Sequence, residues 1–326
     1  MKKTILGLFA FVCAFSGSSC SEDDLSGTSV IKPEQTTETP LDSWLYKNYI
    51  EPYNIEFRYR YEDMESDMIY DLTPANYEKS VQMAKLVKHL CLQAYDEVTG
   101  SRDFITSYFP KMVFLVGSPA YNNNGEVVLG TAEGGTKITL YAVNNMDPTD
   151  VDLLNEWYFK TIHHEFAHIL NQKKPFSTDF NQITGLATGI RYVGNACWDV
   201  YPSEDLALKD GFISRYASTS AEEEFVEVSS IYVTNTAATW EEMLETAGEV
   251  GRPMLEAKFE IVDKYMKNDW GIDLDELRKV VLRRQKELPN NISESNRGCT
   301  VEKTDSVFLY KKVTDNKPII KKLPKI

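Results

Sequence analysis

The sequence predicts an α+β fold, with a small mixed sheet and a long helix in an upper lobe and a mainly helical lower lobe. Residues 55–143 carry strand-like alternation around a single helical segment, and an unbroken helical period follows from about 148 to 171. Beyond residue 214 the periodicity is helical only, with segments near 220–234, 239–247, 253–268 and 273–288.

Ile55, Phe57, Tyr59 and Tyr61 alternate with Glu56, Arg58 and Arg60, the pattern of a half-buried strand. Thr73-Pro74 predicts a helix start, with Tyr77, Val81, Ala84, Val87, Leu90, Cys91 and Tyr95 on the buried side to about Asp96. Met112 to Val116 reads as an inner strand, Asn124-Gly125 as a turn, and Lys137 to Val143 as a further strand. Either Thr136–Val143 or its neighbour after Gly125 is expected at the sheet edge, where an extended peptide could add. Asp147 as N-cap and Pro148 at the first helical position open the long helix. Val151, Leu154, Trp157, Tyr158, Ile162, Phe166, Ile169 and Leu170 then recur at helical spacing, with no Gly or Pro before Pro175. Residues 172–214 are irregular, and Tyr192, Trp198 and Tyr201 there serve as core filling or as a substrate wall, core filling being the simpler role.

Three of the four histidines lie in His163-His164-Glu165-Phe166-Ala167-His168. HExxH on a helix places His164 and His168 one turn apart on one face, able to share one zinc ion, with Glu165 beside the open coordination position. His163 points about 100° away around the helix and reads as packing. His89 sits in another helix and reads as structural. No histidine follows His168, so a third ligand must be Asp, Glu or Cys197. The stretch Tyr216 to Glu227 offers the best candidates. Ser220 or Thr219 can cap a helix whose first turn holds Glu222, Glu223 and Glu224. Glu223 and Glu227 share a face, so one can ligate zinc while the other orients a histidine. The bland alternative is a solvated acidic helix start; Asp179 and Glu204 are spare loop carboxylates.

The unit Tyr-x6-Glu-x3-Glu, filled by Tyr216, Glu223 and Glu227, together with His-Glu-Phe-small-His, resembles the zincin-like peptidases of the anthrax lethal factor type. That resemblance implies Glu223 as third Zn2+ ligand, Tyr216 as oxyanion donor, Glu165 as general base and Glu227 behind the ligands. More of the chain resembles the substrate import-associated zinc metallohydrolase lipoproteins of Bacteroidota. The likeness covers Trp44 to Tyr61, the HExxH helix and the approach Gly211 to Ala217, with Glu224 where that family more often has Asp. It implies a surface-anchored metallopeptidase acting on peptide or glycoprotein, beside an outer-membrane TonB-dependent importer and its binding lipoprotein. The alternatives are a non-catalytic lipoprotein that binds peptide or glycan on a zincin fold, and hydrolysis of a non-peptide amide or ester.

Residues 1–19 read as a lipoprotein signal peptide, with Lys2-Lys3, an apolar stretch from Ile5 to Phe15, and small residues before Cys20. Cys20 becomes the lipid-bearing residue, and residues 20–41 are a Ser/Thr/Glu/Pro-rich tether. The acidic run Ser21 to Asp24 resembles the surface-export signal of Bacteroidota lipoproteins, which implies outer-membrane, cell-surface exposure. The catalytic domain is expected over 42–288, divided near residue 171, with a C-terminal extension over 289–326 whose end is locally basic. Net charge −14 argues against nucleic acid as a partner. After Cys20 only Cys91, Cys197 and Cys299 remain, so no disulfide framework is implied, although a Cys197–Cys299 bridge is conceivable.

Overall fold

The computed structural model describes residues 38–66, 69–121, 127–128, 130–133, 135–184 and 189–288. The signal peptide, Cys20 and most of the tether, the Asn124-Gly125 turn, Cys299 and the C-terminal extension all lie outside the described residues.

Strands β1 (Glu56–Arg58), β2 (Met112–Leu115), β5 (Gly130–Glu133) and β6 (Lys137–Leu140) form one mixed sheet in the order β1-β2-β6-β5. β1, β2 and β6 run parallel, and β5 returns antiparallel to β6. β3 (Ala120–Tyr121) and β4 (Val127–Val128) pair separately. The sheet therefore has β1 at one edge and β5, the neighbour after Gly125, at the other, while β6 is an interior strand. This corrects the Thr136–Val143 alternative, because the β5–β6 return pairs residues 130–133 over the side of β6 that faces away from β2. Every residue of β6 is buried, so its alternation does not mark a wet face. One side of the sheet, with Val113, Leu115, Ile138 and Leu140, joins the main core. The other carries Phe114 and Tyr141 under Tyr61, Tyr70 and Leu72. Parallel strands covered on both faces behave in this way.

The helix predicted from Thr73 starts later. Asn76 caps α1 (Tyr77–Val87), accepting from the Glu78 and Lys79 amides. Pro74 instead bridges to Val116 beside the sheet. A π turn, Lys88–Leu92, leads into α2 (Gln93–Thr99), which ends at left-handed Gly100. The long helix also starts later than its sequence signals. Asp147 is occupied by the Thr149 amide and hydroxyl, so Asp150 is the cap, accepting from the Leu153 amide at 3.0 Å. From there Val151–Leu154 passes through a π turn, Asn155–Phe159, into α3 (Lys160–Lys173). It stops at Lys174, whose extended backbone suits the residue before Pro175.

The irregular stretch contains α4 (Glu204–Lys209) and shorter turns. Ser220 caps α5 (Ala221–Thr234). The segments expected at 239–247 and 253–268 are two helices that meet at a kink within Ala237–Trp270, together α6; the kink is at Gly248, whose φ of 68° only glycine adopts readily. α7 (Leu274–Lys286) begins at its Asp273 cap. One hydrophobic cluster runs through α1, α2, the sheet, α3, α5, α6 and α7, so the two halves expected on either side of residue 171 share a single core.

Candidate metal centre

α3 and α5 pack against each other, and the functional side chains point into their contact. Each helix is fixed from behind by aromatic rings. Phe166, inside the HExxH motif, lies 5.2 Å from Tyr95, 5.7 Å from Phe104 and 5.1 Å from Phe109. Phe225, between Glu223 and Glu227, stacks on Phe176 at 4.1 Å and meets Tyr265 at 5.1 Å. The 3.6-residue period then turns His164, His168, Glu223 and Glu227 to the opposite faces, toward one another. The Ser220 hydroxyl accepts from the Glu223 amide at 3.2 Å, fixing the first turn of α5.

Three donors converge. His164 Nε2 lies 3.1 Å from Glu223 Oε2, His168 Nε2 lies 3.3 Å from the same oxygen, and the two Nε2 atoms are 3.2 Å apart. The Glu227 carboxylate can only accept, so His164 Nδ1–H donates to its Oε1 at 2.9 Å, which leaves Nε2 as the nitrogen that faces Glu223 and His168. Two imidazole nitrogens and a carboxylate oxygen in mutual contact repel unless a cation or proton lies among them. Tetrahedral zinc with bonds of ~2.0–2.1 Å holds its ligand atoms roughly 3.3–3.4 Å apart, close to these three separations. Among the described residues no fourth His, Cys, Asp or Glu joins the group, which leaves three protein donors, whereas structural zinc sites use four.

Glu227 is 1 % exposed and fully engaged. Besides His164 it accepts from Ser214 Oγ at 2.7 Å and faces Lys160 Nζ at 3.2 Å. Burial pushes its carboxyl up, but the Lys160 charge and the bonds from His164 and Ser214 overcome this and hold it near about 2. Burial works against a charged His164 too, yet the Glu223 and Glu227 bonds and the nearby Glu165 charge raise it to about 9 in the metal-free protein. Burial opposes the ionised form of Glu223 as well, and the two histidines bring it well below the usual carboxylate range.

The Tyr216 ring lies 5.9 Å from the His164 ring. Burial, then the Glu223 charge, pushes its phenol far above the usual value, so it stays a donor. The Glu165 charge contributes to the upward shift at both His164 and Tyr216. His163 is buried on the far face with Nδ1 3.0 Å from the Tyr95 hydroxyl, and burial drives its pKa down to about 4. His89 packs against Arg284, away from the centre. Asp179 and Glu204 do not ligate; Glu204 accepts from the Arg215 amide at 2.8 Å. Cys197 is buried and outside the donor group. Tyr201 and Tyr192 pack on Phe212, whereas Trp198 is exposed beside Tyr216.

Several contributors carry no local sequence signal. Ser214 reaches Glu227 only through the fold. Lys160 stands one turn before His164, a spacing visible in the sequence, but its partner is not. Behind Glu223, Lys258 and Glu224 form a fully buried ion pair at 2.7 Å. Lys258 also donates to the Gly211 carbonyl at 2.7 Å, and Tyr192 donates to Glu224 at 2.8 Å.

The chain is 42 % identical to a putative zinc-binding metallo-peptidase from Bacteroides caccae ATCC 43185, known as a crystal structure. The likeness covers 80 % of this chain and 97 % of that one, with a TM-score of 0.67. No curated protein matches. A family model described as "putative zinc-binding metallo-peptidase" matches residues 34–275, the span that holds β1 through the start of α7 and every member of the donor cluster, and the chain belongs to that family.

Proposed function

We propose that this protein is a zinc-dependent peptidase, anchored through lipidated Cys20 at the outer face of the outer membrane. There it trims peptide or glycoprotein beside a TonB-dependent importer and its binding lipoprotein. The observation that carries the catalytic part is the three-donor cluster His164, His168 and Glu223 with a carboxylate base and a phenol donor beside it. The membrane part rests on the sequence alone, on Lys2-Lys3, the apolar stretch and the small residues before Cys20.

Zinc, held by His164, His168 and Glu223, supplies a Lewis acid that polarises a carbonyl and acidifies water. The chain's own residues do the rest. Glu165 accepts the proton of the attacking water and delivers it to the leaving amine. Tyr216, kept protonated by burial and by Glu223, donates a hydrogen bond to the oxyanion that develops on the carbonyl. Glu227 holds the His164 ring in the tautomer that leaves Nε2 free, and Lys160 and Ser214 hold Glu227. β5 runs beside α3 closely enough that a Cβ on Gly130 would meet the Thr161 methyl at 2.6 Å. An extended substrate adding to the β5 edge would thus lie along the helix that carries the histidines.

Glu165→Gln is expected to keep one zinc per chain, read by metal analysis, and to lose peptide cleavage by at least about a thousandfold. Undiminished turnover would reject the assigned base. Labelling with a fatty acid analogue, abolished by Cys20→Ala, and protease accessibility on intact cells check the anchor and its face.

A further inference from the structure

Arg215 immediately precedes Tyr216 and grips the segment opposite. Its Nη2 donates to the Trp198 carbonyl at 2.9 Å, its Nε donates to the Tyr201 carbonyl, and its amide donates to Glu204 Oε2 at 2.8 Å. Its guanidinium lies over the Trp198 ring, 4.6 Å from the centroid. Trp198 is thereby held near-parallel to Tyr216, with ring centroids 6.5 Å apart and planes 28° from parallel. Ring neighbours run from His164 to Tyr216 to Trp198, with the Arg215 guanidinium over the indole. Trp198 is 36 % exposed, and Val200 and Leu206 on the same short segment are also exposed apolar side chains. Core packing explains Tyr192 and Tyr201 but not an indole fixed beside the oxyanion donor and left open to solvent.

We propose that Trp198 is a specificity-determining residue. Resting on the peptidase reading, it forms with Tyr216 an aromatic wall that selects a large apolar or aromatic side chain next to the scissile bond. Tyr216 reaches the reacting carbonyl, so its neighbour Trp198 meets the side chain one position away along the substrate. Arg215 covers one indole face, and the Tyr216 ring lies near-parallel to the indole with centroids 6.5 Å apart. The part of the indole left exposed suits contact with a phenyl or branched aliphatic group. Arg215 acts as a positioning residue, because it ties the Trp198 carbonyl and ring to the residue that precedes Tyr216.

The test uses the zinc-loaded mature chain and two hydroxamate dipeptides that differ only in a benzyl or methyl side chain, with affinities measured by calorimetry. A parallel set of peptides varied at the positions flanking the cleaved bond gives kcat and KM separately. The wild type is expected to favour benzyl over methyl by roughly tenfold. Trp198→Ala should remove that preference through KM with zinc content unchanged, and Trp198→Phe should restore most of it. Equal affinities in the wild type, or a preference that survives Trp198→Ala within twofold, would overturn the wall. So would selection of glycosylated over apolar peptides that depends on Trp198. Binding of both hydroxamates without cleavage of any peptide would reject the hydrolytic reading while the benzyl preference still decides the wall. Failure of both hydroxamates to bind would reject the metal centre, and the wall with it.

Discussion

At the residue scale, the charge state of the donor cluster sets how the protein takes up metal. Raised to about 9, His164 is protonated at neutral pH in the metal-free protein, and a cation must displace that proton. Zinc binding at pH 7 is therefore expected to release about one proton, seen as a dependence of binding enthalpy on buffer ionisation, and affinity should climb as pH rises toward 9. Folding of the metal-free chain runs the opposite way. A folded pKa above the unfolded one contributes stability that is complete below about 6.5 and is lost as pH rises through about 9. His163 carries the reverse sign. Its folded pKa is down at about 4, so the unfolded chain takes up a proton that the core refuses. That contribution is present above about 6.5 and fades as pH falls toward 4, a loss of roughly a few kcal/mol that acid melting of the metal-free protein should register. Removing the Glu227 carboxylate with Glu227→Ala should weaken zinc binding by roughly 10–100-fold, because His164 loses the acceptor that fixes its tautomer.

At the element scale, two close contacts position the second half of the site. Ser220→Ala deletes the cap over the Glu223 amide and should cost about 1 kcal/mol. Gly251 lets α6 touch α4; a Cβ there would sit 2.1 Å from the Leu208 carbonyl oxygen, so Gly251→Ala should destabilise by about 1–3 kcal/mol in denaturant melts. These elements show which parts of the fold were legible in the sequence. α5 was, because Ser220, the three acidic residues behind it and the apolar side including Phe225, Val228 and Ile231 agree with one another. The start of the helical run that ends in α3 was not, since Asp147 and Asp150 both resemble caps and only the Thr149 contacts decide between them. The π turns were invisible, because one extra residue in a turn leaves the apolar pattern intact over short windows. β6 misled for a different reason: its alternation is real, but the segment carrying Tyr61, Tyr70 and Leu72 covers its second face.

At the scale of the whole molecule, the Lys258–Glu224 pair ties α6 to α5 and to the loop that leads into Ser214 and Tyr216. Burial pushes Glu224 up and Lys258 down, and the hydrogen bond and opposite charge each offers the other work against both shifts. Lys258→Met alone should cost about 3–5 kcal/mol by stranding a buried carboxylate, whereas Lys258→Met with Glu224→Leu should recover most of the loss in thermal melts. The sequence hints at this lysine only through its place on the stripe Leu255, Lys258, Val262, Tyr265, and pairing across distant helices leaves no local trace. HExxH was legible because one helical turn encodes two ligands; the third donor required the fold to bring residue 223 to residues 164 and 168. That long reach bears on biogenesis. As the chain is synthesised, the histidine helix emerges first, lacking both its carboxylate partner and the α5 face against which it rests. A chain truncated after residue 210 should neither retain zinc nor unfold cooperatively. On the export route we propose, the unfinished polypeptide would then stay loose enough to be threaded through a translocation channel, acquiring its metal only after passage.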